Sequence, residues 1–310
     1  MTESKINIKN IKKYENVINI KNTKYSHLKN LLPKNGHTVL EFEINNINCA
    51  MANAIRRTLT NELSIKFLTC SLEDIKSSDK NIIDDQIKSR LEMIPIDQNI
   101  DTNSIFNLKV ENNEDTYNYI LSNEIKNNKN ISANCIEEIP ICSINSGKWL
   151  YINNICVKEE YGYNNGRVSP CRIEYEIINH NMNVSSLISN PTDYKFLLEC
   201  PYVIDPNILL KNTFDNLISR LQNIDLTKIT VEYEVYKLHI VGETHTIGRL
   251  ISRYIYELVP TIDYVNMRII HPSKRECVID IRHPEAKKIL IQSVNNIIKD
   301  LNIIKKLFKY

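Results

Sequence analysis

NCAMANAIRRTLTNEL (residues 48–63) and GETHTIGRLISRYIYEL (residues 242–258) decide how this chain folds. An alternating apolar run precedes each: TVLEFEI (38–44) before the first, TVEYEVYKLHI (230–240) before the second. Alternation at period two predicts a half-buried strand. Ile47, Met51, Ala54, Ile55, Leu59 and Leu63 instead recur at the spacing of a helix. Asn48 suits an N-cap, because its side-chain oxygen can accept from an N–H that the first helical turn leaves unpaired. The chain thus holds one device twice: a strand, a polar corner, then a helix with a bare apolar stripe. Nothing adjacent in sequence covers either stripe, so the two are expected to cover each other. That is the logic of assembly rather than catalysis.

Working outward, the first 37 residues are polar and rich in Lys and Asn. KINIKNI (5–11) alternates like an edge strand, and the remainder up to PKNG (33–36) reads as loop. After the first helix, IKFLTCSLEDI (65–75) reads as one strand. IIDDQIKSRLEMIPI (82–96) reads as a short helix stopped at Pro95, since the residue before proline is pushed out of the α region. Residues 97–180 change character: SIFNLKV, TYNYIL, KWLYINNICVKEEYG and CRIEYEII alternate with Asn, Gly and Pro turns, the pattern of a β-rich insertion. YKFLLEC (194–200) is a further strand. Pro206 opens a helix with Leu210, Phe214, Leu217 and Leu221 on one face. A short connection at 225–228 leads to the second device. VNMRIIHP (265–272) and ECVIDI (276–281) read as strands, and a long helix from Pro284 carries Ala286, Leu290, Val294, Ile297, Leu301 and Ile304.

Composition narrows the function. At 310 residues two domains are expected, with room for an inserted third. The net charge is only +2, without the strong basic excess of a chain that grips nucleic acid alone. The amino terminus lacks the apolar core of a signal peptide, and no run of ~18 apolar residues predicts a membrane span. The eight cysteines form neither CxxC nor CxC, so they read as reduced, mostly buried thiols and not as a zinc site. No P-loop, HExxH, nucleophile elbow or Gly-rich dinucleotide loop occurs. The acidic metal motif of nucleotidyl transfer is also missing. No catalytic residue, metal or cofactor is expected. His245 and Thr246 read as helix-start residues, with Thr244 or Thr246 as cap. Asp84 and Asp85 read as acids at a helix N-terminus, and Trp149 as packing within the insertion.

NAIRRTL (53–59), followed by IKSRLEMIPI (87–96), resembles the NxLRR…RLGxIPL signature of α-like subunits of multisubunit RNA polymerases. SINSGKWLYI…EEYGYNNGRVSPCRIEY (143–175) and YKFLLECPYVIDPNILLKNTFDNLISRL (194–221) resemble later stretches of the same subunits. HIVGETHTIGRLISRYI…YVNMRIIHP…CVIDI (239–281) is similar to the small partner of that subunit. Departures from the pattern are Arg249 for the usual Asn, Met267–Ile269 for a FAGY-like turn, and Glu92 for a glycine. The insertion also has no cysteine metal loop. Two subunits that are separate in cellular polymerases would here be fused, as in polymerases of large DNA viruses.

The resemblance implies an α+β fold in which two α-like dimerisation modules pack as an intramolecular pseudo-dimer, the first carrying a β-rich insert domain. The first module spans 1–66 and 173–225, the insert 67–172 and the second module 226–310. Met51, Ile55, Leu59, Leu210, Phe214, Leu217, Ile247, Ile251, Tyr254, Leu290, Val294 and Ile297 would form the dimerisation surface. Obligate interfaces of this kind bury ~2,000 Å² or more. Arg56 and Arg57 would contact a large subunit, guanidinium groups being suited to carboxylate pairing. The implied function is a non-catalytic platform that nucleates binding of the largest and second-largest subunits. Small zinc-binding subunits would join it, and DNA would be reached only through the complex. The implied place is intracellular: the virion and host cytoplasm if viral. The competing reading is a DNA-binding transcription factor on the same fold.

Overall fold

The computed structural model describes residues 6–17, 37–127, 139–178, 191–201 and 203–308. Residues 18–36, including the expected PKNG loop, and Cys135 lie outside them. The fold is α+β, with two four-stranded antiparallel sheets that each carry two helices.

The first sheet runs β1 (Asn7–Val17), β2 (His37–Asn45), β11 (Tyr194–Cys200), β10 (Arg172–Ile177). Leu40, Phe42 and Ile44 alternate inward on β2, as do Tyr194, Phe196 and Leu198 on β11. Phe42 pairs with Phe196 across the ladder, and their rings stack 5.1 Å apart. The edge strand β1 runs longer than the KINIKNI pattern and absorbs an irregularity at Asn10, whose φ is +52°. Asn48 caps α1 (Cys49–Arg57), accepting from the Met51 N–H at 2.8 Å. The helix then widens into a π-helical turn, Thr58–Glu62, where the periodicity predicted one continuous α-helix. On the same sheet, α3 (Pro206–Gln222) starts at the cap Asp205 with Pro206 in its first turn.

The second sheet runs β12 (Ile229–Glu232), β13 (Val235–Val241), β15 (Glu276–Arg282), β14 (Tyr264–Ile269). Residues 230–240, expected as one strand, are instead a hairpin. Tyr233 and Glu234 turn it at φ +49° and +62°. Such turns ordinarily take Asn or Gly, and these two positions offer neither. Over this sheet lie α4 (His245–Leu258) and α5 (Ala286–Leu307). Gly248 lets α4 sit close to the sheet. A Cβ there would come within 2.6 Å of Met267 Cε and 3.2 Å of Cys277 Sγ.

The remaining strands form a separate unit with its own core. β3 (Ser64–Thr69), β9 (Trp149–Tyr161), β5 (Ile105–Glu111) and β7 (Lys126–Asn127) make one sheet, with β4 (Ile75–Ser77) also paired to β9. β6 (Asn118–Leu121) and β8 (Pro140–Ile144) pair beside it, and α2 (Asp84–Met93) covers it. The run 65–75, expected as one strand, stops at Thr69 and resumes at Ile75 after a 3-10 turn, Leu72–Asp74. β3 also crosses the 66/67 boundary assigned to the insertion. At the other boundary, Val168 and Cys171 belong to the core of the first sheet. The first edge thus falls inside a strand, whereas at the second a loop of residues 162–171 joins β9 to β10.

Candidate functional site: the helix joint

One apolar core runs beneath α1, α3, α4 and α5 and reaches both four-stranded sheets. Met51, Ile55 and Leu59 enter it from α1 and its π turn, Leu210, Phe214 and Leu217 from α3. Ile247, Ile251 and Tyr254 come from α4, and Leu290, Val294 and Ile297 from α5. Eleven of these twelve are at most 4% exposed, and Tyr254 is 8% exposed. The Tyr254 hydroxyl donates to Asp300 at 2.8 Å. Burial first, then the Asp300 carboxylate, raises the pKa of that phenol. At the end of α5, Phe308 packs edge-on against Phe42 of the first sheet, centroids 5.1 Å apart, and beside Phe214 of α3.

A polar seam crosses the apolar joint. Glu62, in the π turn, is 3% exposed. Arg220 of α3 donates Nη1 to Glu62 at 2.7 Å and Nε to Glu243 at 2.8 Å, while its Nη2 also pairs with Glu243. Thr246 donates its hydroxyl to Glu62 at 2.5 Å and accepts from Arg57 Nε at 2.9 Å. Two carboxylates, two guanidiniums and one hydroxyl thus satisfy one another, with Glu243 and Thr246 from the second half and the rest from the first. Burial opposes the charge of Arg220, but the hydrogen bonds and charges of Glu243 and Glu62 outweigh it and raise its pKa. Asn48 reinforces the seam by donating to Glu257 at 3.0 Å, and Lys305 of α5 pairs with Asp215 of α3.

Two expectations change here. Thr244 stands at the N-cap of α4, as one of the two alternatives had it, but its side chain makes no capping hydrogen bond, and Thr246 is engaged across the joint. Arg56 and Arg57 also do different things. Arg57 turns into the seam, whereas the Arg56 side chain makes, among the described residues, only long bonds, 3.4 Å, to the neighbouring Asn53. Sequence reading missed Glu62, Arg220 and Glu243. Arg220 had a signal, a charge three residues after Leu217 on the apolar stripe of α3. Glu62 and Glu243 had none, because the π turn and the corner before α4 set their directions.

Asp84 and Asp85 occupy the first turn of α2. Trp149 stacks on Tyr151 in the insertion, centroids 4.6 Å apart. The seven described cysteines are free thiols. A hydrogen bond with Cys171, together with burial, raises the pKa of Cys200. Among the described residues no three His, Cys, Asp or Glu side chains gather as a metal site. No helix among them is long and apolar enough to cross a membrane.

Residues 236–307 match the RNA polymerase Rpb3/Rpb11 dimerisation domain. The chain is 33% identical over 146 residues to the "DNA-directed RNA polymerase RPB3-11 homolog" of African swine fever virus, in a South African tick isolate and a Namibian warthog isolate. It is 32% identical to the same-named protein of the Badajoz strain. Each alignment takes in 39% of this chain and 40% of the relative.

Proposed function

We propose, from the premise that residues 236–307 belong to the Rpb3/Rpb11 dimerisation family, that the whole chain is a fused Rpb3/Rpb11-like subunit of a viral RNA polymerase. It is a non-catalytic platform. Residues 1–66 and 173–225 are the first dimerisation module, 226–310 the second, and 67–172 the insert domain. The two modules form a pseudo-dimer within one chain. The observation that carries this reading is the shared core with its crossing seam, in which each half covers the other's helices. The connection at 225–228 holds the halves at an effective concentration on the order of mM, so pairing does not depend on expression level.

On this platform the largest and second-largest subunits mount, with small zinc-binding subunits beside them. Arg56 is the arginine available to a large subunit, and Arg57 holds the joint. The platform works inside the cell, in the virion and the host cytoplasm. A stand-alone DNA-binding factor finds no support in the net charge of +2 or in the relatives' names.

Co-expression with the two large subunits tests the reading. Tagged full-length chain is expected to recover both. Arg56→Glu is expected to fold normally and weaken that recovery, whereas Arg57→Glu lowers the melting temperature as well. Recovery of nucleic acid without either large subunit would overturn the reading.

A further inference from the structure

Between α1 and α4 lies a groove of about 420 Å³. Its rim is basic. Arg56 comes from α1, and His245, Arg249 and Arg253 come from α4. Arg249 is exposed and makes no hydrogen bond or ion pair among the described residues. Among the described residues Arg253 pairs only with Glu257, one helical turn along. The carboxylates closest to hand are already engaged: Glu62 within the seam and Glu257 by Asn48 and Arg253. Positive charge here therefore exceeds what the described residues satisfy. The floor is apolar and small, formed around Ala50 and Ala54, and Tyr256 stands at one end, 43% exposed.

We propose that this groove is a docking site for an acidic peptide segment of a partner protein, with carboxylates on the arginine rim and aliphatic side chains on the floor. Charge complementarity selects the occupant. Guanidinium groups bind carboxylates through paired N–H donors, and such charge-assisted bonds are the strong ones. A nucleic-acid strand fits less well. The groove ends at Tyr256, and the chain as a whole has a net charge of only +2, without the strong basic excess that a phosphate backbone draws on. Because α1 and α4 belong to different halves, the groove exists only in the closed molecule. The partner thereby reads whether the joint has formed. The platform reading supplies the source of the segment, another polymerase subunit; the chemistry of the groove does not depend on it.

The test uses the full chain and a short fluorescein-labelled peptide of repeating Glu-Glu-Leu, followed by fluorescence anisotropy. The wild-type chain is expected to bind it and to release it as salt rises. Arg249→Gln combined with Arg253→Gln lies on exposed or half-buried positions, sets no carboxylate beside Glu257, and is expected to keep the wild-type melting temperature. Affinity should fall by roughly ten-fold or more per arginine lost. Arg249→Lys, which keeps the charge and loses the fork, should fall between the two. No binding by the wild-type chain, or unchanged binding by the double variant, overturns the proposal. So does a labelled oligothymidylate that binds with the same arginine dependence and displaces the peptide. A chain that recovers both large subunits yet ignores the peptide removes the groove and leaves the platform. Peptide binding without large-subunit recovery does the reverse.

Discussion

Arg220 holds two carboxylates that have little access to water, Glu62 at 3% and Glu243 at 8% exposure. Removing one member of such a set strands the others, at a typical cost of about 3–5 kcal/mol. Arg220→Met is expected to destabilise the chain on that scale in urea titration. Adding Glu62→Gln and Glu243→Gln should recover much of the loss, because no charge is then left unpaired. A single-variant loss under about 1 kcal/mol would show that water reaches the seam. Asp79 makes a second prediction, in the insertion. Its carboxylate accepts the main-chain N–H groups of Asn145 and Asn81, each at 3.0 Å, and the Asn145 side-chain amide at 2.9 Å. These bonds, the Asn145 N–H foremost, hold its pKa below the usual carboxylate value. The unfolded chain thus binds the proton more readily. The stabilisation is complete above the unfolded pKa of about 3.9 and is lost as pH falls through the lower folded value. Trp149, the sole tryptophan, lies close by: its main-chain N–H donates to the Ser78 hydroxyl oxygen. Its fluorescence should report an acid transition that Asp79→Asn makes shallower, and an identical acid limb in that variant would refute the assignment.

At the scale of elements, legibility followed local chemistry. Asn48 and Pro206 announced their helix starts, because a cap and a first-turn proline act within a few residues. The four apolar stripes were legible for the same reason: periodicity is a property of one segment. Three features were not. The Tyr233–Glu234 turn uses residues that carry no turn signal, so its backbone is imposed by the pairing of β12 with β13. The π turn at Thr58–Glu62 leaves no mark in the spacing of Leu59 and Leu63. The seam depends on directions that only the assembled joint sets. Gly248 gives the element-scale prediction. Gly248→Ala raises helix propensity on α4 yet drives a methyl into Met267, so a loss of about 1–3 kcal/mol is expected. The double variant with Met267→Ala should lose less than the two single losses added together, since the smaller side chain makes room. Strict additivity in denaturant melts would mean that α4 shifts away instead.

At the scale of the molecule, the described residues form two hydrophobic cores, one spanning the helix joint and one within the insertion. If the joint is held by its own surfaces, the covalent link at 225–228 is dispensable once both halves exist. Cutting the chain there and co-expressing the pieces should give a complex that co-elutes in gel filtration. Separately soluble pieces that ignore each other would defeat the pseudo-dimer reading. The reach of α5 carries a last consequence. Phe308 seals an aromatic cluster with Phe42 and Phe214, residues that leave the ribosome long before it. Domains generally fold from the amino terminus during synthesis, but here the earlier half cannot finish on schedule. Its nascent form stands with sticky rings uncovered until translation has passed α5, which makes it a natural client for chaperones during that interval.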